Sequence, residues 1–232
     1  MAIPRIADLL DSLQSFYGAV APHAPTDPYE FLVWWHCGYP ASEERCAKGW
    51  QALNREIGIA PQQLALAATA KLVKALKAGG MVPELRAKRL KEIAARVQRE
   101  FCGDLLSALS RLPLAQVRKA LKAFPGIGNP GADRILLFSR LSPAAAVPSA
   151  RPHVLVRVLL GLEGDKYIAA YSAAQRTLDA LPATFDARIR AYLLIDRHGH
   201  ELCKRSKPLC QRCPLQSQCA FANAAKKPNN GS

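Results

Sequence analysis

Apolar residues recur at three- and four-residue spacing along most of this chain. The runs IADLLDSLQSFYG from Ile6, QLALAATAKLVKALKAG from Gln63, AKRLKEIAARVQREF from Ala87 and AQVRKALKAF from Ala115 each lay an apolar stripe along one face of a helix. Strand-like alternation of valine and isoleucine with polar residues is not found, so the pattern predicts an all-α protein. Pro- and Gly-rich breaks fall at 21–27, 79–83, 126–131 and 142–152, and the last is expected to be a domain boundary. Residues 223–232 have no apolar periodicity and are expected to be a disordered tail.

Half of the 232 residues are hydrophobic, enough to fill a core without covalent staples. A formal net charge of +14 points to a polyanionic partner, and nucleic acid fits better than an acidic membrane surface. The plainer reading, lysines that only solvate helix faces, stays open on charge alone. The start of the chain lacks the basic, apolar and small-residue blocks of a secretory signal, and no run approaches the roughly 18 apolar residues of a membrane span. A reducing cytoplasm is therefore expected, with the seven cysteines as thiols or metal ligands rather than disulfides.

Four of those cysteines, Cys203, Cys210, Cys213 and Cys219, form C-x6-C-x2-C-x5-C. Four soft donors so close together point to an iron–sulfur centre. A zinc ribbon would pair two separated C-x2-C knuckles, where this chain has one; a structural zinc and unligated thiols stay as alternatives. Cys37, Cys46 and Cys102 are scattered and read as small hydrophobes on helix faces.

Residues 115–141 carry a helix, then Phe124-Pro125-Gly126-Ile127-Gly128, then a second helix. Glycines allow a tight turn whose bare N–H groups sit beside a helix N-terminus and suit a phosphate oxygen. Asn129 is expected to cap the second helix, Pro130 to open it, and Ile127 to pin the turn to the core. Any tight interhelical turn could contain P-G-x-G; about eighty residues before this cysteine pattern, it carries more weight.

Hairpin and cysteine loop together resemble the helix-hairpin-helix DNA glycosylases, in particular the endonuclease III-like branch with a C-terminal [4Fe–4S] loop. The resemblance covers roughly residues 28–220. It implies a six-helix domain at 27–140 and a cluster domain made of 1–26 and 141–222, with DNA between them. It implies a [4Fe–4S] cluster on the four cysteines, which organises a loop rather than performing hydrolysis. Lys204, Arg205, Lys207 and Arg212 would then meet the DNA backbone, as would the hairpin residues Gly126, Ile127 and Gly128.

Two departures bear on chemistry. Where bifunctional relatives carry a nucleophilic lysine, two residues after the hairpin's last glycine, this chain has Pro130, which has no amine to form a Schiff base. The aspartate of a V-D-T-H-like turn is also missing: Val147 and His153 match its flanks, and the aspartate falls on Pro148 or, with another gap, on Arg151. Arg151 would suit an abasic-site phosphate or an anionic leaving group. Asp133 and His153 are the candidate replacement acids or bases, and Ser149 is a weaker one. Asp133 is equally readable as an exposed partner of Arg134, and His153 as structural.

The segment PYEFLVWWHCG from Pro28, followed by Tyr39 and Pro40, resembles the family's helix and turn that fill the gap left by a flipped base. Tyr39 or Pro40 would be the wedge, and one of Trp34, Trp35 and His36 could stack on an extruded base, although aromatic residues in helices are more often core. The leading expectation is a monomeric base-excision repair protein of the cytoplasm and nucleoid. It would recognise a lesion, mismatch or abasic site in double-stranded DNA and excise bases as a monofunctional glycosylase without lysine-dependent lyase activity. A non-catalytic [4Fe–4S] lesion or structure sensor is the alternative, and a redox sensor on a DNA platform is a third class.

Overall fold

The computed structural model describes residues 5–39, 41, 43–164 and 166–224, and these contain helices, turns and loops but no strand. Contacts divide the chain into two compact units. Pro22–Leu141 forms one, and the described residues of Met1–Ala21 and Ser142–Ser232 form the other.

The first unit contains α2 (Pro28–His36), α3 (Glu43–Glu56), α4 (Pro61–Leu66), α5 (Thr69–Leu76), α6 (Pro83–Phe101), α7 (Leu105–Ser110), α8 (Leu114–Lys122) and α9 (Asn129–Phe138). Proline stands in the first turn of α2, α4, α6 and α9, where its missing N–H costs nothing. Asp27 and Asp104 cap α2 and α7 by accepting the backbone N–H of Glu30 and Ser107. The nineteen-residue α6 buries Ala87, Leu90, Ile93, Ala94 and Val97, one stripe at helical spacing, against α2, α4, α5 and α7.

The second unit contains α1 (Ile6–Tyr17), the short α10 (His153–Leu155) running into a π-helical stretch at Val156–Leu160, then α11 (Tyr167–Asp179), α12 (Phe185–Glu201) and α13 (Ala220–Ala224). Leu9, Leu10 and Leu13 of α1 share a core with Val154, Val158, Leu178, Leu194 and Ile195, and Cys203, Cys210 and Cys213 pack against it. Helix α13 carries order through Ala224, into the start of the expected tail, and the rest of that tail lies outside the described residues. No described helix is long and apolar enough to cross a membrane.

Candidate nucleic-acid interface and cysteine centre

In the first unit, the hairpin joins α8 to α9. Phe124 and Ile127 are buried and hold the turn from beneath. Gly126 has φ +72, the left-handed region, and a Cβ there would come within 3.3 Å of His36 Nε2 and 3.6 Å of Arg89 Nη1. Gly128 is extended at φ −95, so only one of the two glycines is conformationally required. It also holds the cap position expected for Asn129: the Ala132 N–H bonds to the Gly128 carbonyl, which starts α9 at Asn129 and places Pro130 inside the first turn. The turn thus presents backbone toward solvent beside a helix start, with Arg89 alongside, a geometry suited to a phosphate oxygen.

The end of α2 supports the hairpin. His36 is buried behind it, its Nδ1 2.8 Å from the Leu32 carbonyl, and burial pushes its imidazole down to about 4. Trp34 is buried beside Phe31, and the Arg134 guanidinium lies over both rings. Phe31, Trp35 and Tyr39, four residues apart, form a stack with centroids 5.9 and 4.2 Å apart, and Tyr39 at its end is 39% exposed. A flat apolar ring on a rigid stack can fill an unstacked base step.

The loop between α5 and α6 ends in Met81, 72% exposed, and Val82, a β-branched residue at φ +50. Arg86 holds this strained tip: buried, it donates to the carbonyls of Met81, Leu76, Gly80 and Cys37, the last at the end of α2. Hairpin, aromatic stack and apolar tip therefore share one support, the C-terminal turn of α2.

In the second unit, all four cysteines of the C-terminal loop line one small cavity of about 20 Å³, together with Arg157 and His198. Burial pushes the thiols of Cys203 and Cys213 up to about 11 and raises that of Cys219. Such thiols stay protonated until a cation draws off the proton. Among the described residues no three His, Cys, Asp or Glu side chains converge as a single-ion site requires. The Leu215 N–H meets the Cys213 sulfur at 3.4 Å, and His198 Nε2 lies 3.6 Å from the same atom. Four thiols around one apolar cavity, with N–H groups aimed at sulfur, fit the donor set of a thiolate-held cluster. Arg157, from the π-helical stretch, fastens the loop by donating to the carbonyls of Lys204 and Arg205 at 2.9 and 2.7 Å. Lys204, Arg205, Lys207 and Arg212 are exposed around it.

No family model matches the chain. By sequence it is similar to a thymine-DNA glycosylase of Aeropyrum pernix, 29% identical over 143 residues that make up 60% of this chain and 58% of that protein. The match therefore spans less than two thirds of the relative's length. By structure it is similar to endonuclease III in a non-covalent complex with DNA, with TM-score 0.74 and 19% identity over 95% of this chain and 96% of the other. It is also similar to a thermostable thymine-DNA glycosylase, with TM-score 0.71 and 19% identity over 94% and 97% of the two chains. The fold is that of the helix-hairpin-helix glycosylases.

Both candidate acids or bases, Asp133 and His153, are enclosed. Asp133 is 1% exposed and ion-paired with Arg118 of α8, so the hairpin's second helix turns this carboxylate inward instead of exposing it beside Arg134. His153 is buried as well: its Nε2 lies 2.9 Å from the Cys203 carbonyl, and burial holds its pKa below the ordinary value. This contact ties α10 to the entrance of the cysteine loop. Of the three residues at the end of α2, Trp34 and His36 are enclosed, and Trp35 is partly exposed and stacked against Tyr39. Pro40 lies outside the described residues. Arg151 is partly exposed, its Nη2 3.1 Å from His200 Nδ1 and its Nε 3.7 Å from the Asp196 carboxylate of α12. Asp196, Arg89 and the Met81–Val82 tip escape the sequence pattern. Asp196 lies far along the chain from the loop it meets, and Arg89 is one of many basic residues on a helix; the tip had only the G-G-M-V-P break as a signal.

Proposed function

We propose that this protein is a DNA-repair glycosylase that removes a base from double-stranded DNA by hydrolysis, without lysine-dependent strand cleavage. The observation that carries the proposal is the hairpin: Gly126, left-handed and backed by His36, opens the turn for a phosphate, and the helix that follows holds Pro130 where an amine nucleophile would stand. The glycosylase fold and the net charge of +14 agree with it.

In this reading the hairpin amides and Arg89 hold a phosphate, and Lys204, Arg205, Lys207 and Arg212 meet further phosphates. Tyr39 and the Met81–Val82 tip fill the space of an extruded nucleotide. Water adds at C1′, the C1′–N bond breaks, and the base leaves with a proton. Asp196, drawn to the 142–152 loop by Arg151, is the carboxylate we assign to the developing sugar cation. Cys203, Cys210, Cys213 and Cys219 would hold a [4Fe–4S] cluster, which, once bound, ties their loop into a fixed shape. The protein acts as a monomer in the cytoplasm, on lesion-bearing, mismatched or abasic duplexes.

The test is binding to duplexes with and without a stable abasic-site analogue. The expected result is tighter binding to the abasic duplex, with Gly126→Val weakening binding to both and Tyr39→Ala weakening only the abasic preference. Equal affinity of the wild-type protein for both duplexes, or no effect of Gly126→Val, would overturn the assignment of these surfaces.

A further inference from the structure

We propose that His198 is the positioning residue of the cysteine centre, passing a hydrogen bond from the Tyr17 hydroxyl to the Cys213 sulfur and thereby holding that ligand and setting the reduction potential of the cluster it carries. The inference rests on the cluster reading above. His198 lies in α12 and is fully buried, and both of its ring nitrogens are engaged: Nδ1 lies 3.1 Å from the Tyr17 hydroxyl and Nε2 3.6 Å from Cys213 Sγ.

Chemistry fixes the direction of this chain of contacts. A ligating sulfur is a thiolate and has no proton to give, so Nε2 must carry the hydrogen. Nδ1 then has only its lone pair to offer, and Tyr17 must be the donor. Tyr17 is itself clamped: Arg197 donates to its carbonyl at 3.2 Å and lays its guanidinium 4.8 Å above the ring. The relay therefore starts from a fixed phenol at the end of α1 and finishes on a sulfur that also receives the Leu215 N–H at 3.4 Å.

Two donors on one sulfur have two consequences. They hold the sulfur in place as a ligand, which slows loss of the metal once it is bound. They also draw charge from the sulfur, favouring the more negative, reduced cluster and raising its potential. A histidine that merely filled space would have neither effect.

The experiment uses the full-length chain loaded anaerobically with iron and sulfide. Iron per chain, visible absorption, reduction potential and the rate of iron loss to a chelator are compared for wild type, His198→Phe, His198→Gln and Tyr17→Phe. A wild-type chain that takes up no iron overturns the cluster reading itself. With iron bound, His198→Phe is expected to have a lower potential and to lose iron about tenfold faster. His198→Gln, which keeps an N–H at similar reach, should recover most of both. Tyr17→Phe should lower the potential by less. An iron-loaded His198→Phe with wild-type potential overturns the inference, whatever its rate of iron loss. If His198→Phe fails to load, a wild-type potential in Tyr17→Phe overturns the relay, and a lowered potential there with near-normal His198→Gln supports it.

Discussion

His36 behind the hairpin ties stability to pH. Its folded-state value near 4 lies below the ordinary value of about 6.5 for an exposed ring, so the unfolded chain binds the extra proton first as pH falls. The stabilisation is complete above about pH 6.5, declines as pH falls, and is lost near pH 4; the linkage amounts to roughly 3 kcal/mol. Thermal melts between these limits should show the decline, and His36→Gln should lessen it, the buried His153 and His198 carrying the remainder. Gly126→Val should cost about 1–2 kcal/mol, because an L side chain opposes the left-handed turn and its Cβ would crowd His36. Asp133→Asn should lower the melting temperature but leave excision by the folded protein unchanged, since Asp133 is enclosed beside Arg118; a hundredfold loss of turnover would return it to the reaction. Pro130 was legible as a missing amine because that conclusion needs only residue identity. The inward orientation of Asp133 was not, because helical periodicity does not say whether a polar residue faces solvent or an interior partner.

The C-terminal turn of α2 organises its unit. The Cys37 carbonyl receives Arg86, and a Cβ added at either Gly49 or Gly79 would overlap that same carbonyl. Gly49, Gly79 and Arg86 thus close onto one peptide group, and neither glycine has room for a methyl. Gly79→Ala should destabilise the fold by about 1–3 kcal/mol and release the Met81–Val82 tip, measurable by thermal melts and by faster proteolysis at residues 79–83. The helices were readable because α6 and α8 repeat their apolar positions every three or four residues. The π-helical stretch at Val156–Leu160 was not: it inserts into an apolar run, HVLVRVLL, whose hydrophobicity is the same in any register.

Across the whole molecule, 32 lysines and arginines face 18 acidic residues. If about six of the basic residues neutralise phosphates, affinity for duplex DNA should fall about a thousandfold between about 50 and about 200 mM salt. The four cysteines were legible as neighbours, and they line one cavity, because their spacing confines them to a short loop. Asp196 was not, because α12 brings it to Arg151 from 45 positions along the chain. The central claim is base removal without a covalent enzyme intermediate, and the most direct measurement is excision from a panel of lesion and mismatch duplexes, read with and without alkali and with borohydride present. The account predicts strand breaks only after alkali, no borohydride-trapped complex, and at least a hundredfold slower excision by Asp196→Asn at nearly unchanged DNA affinity. Strand cleavage without alkali together with a trapped complex would contradict it, as would binding to abasic DNA with no base released from any duplex.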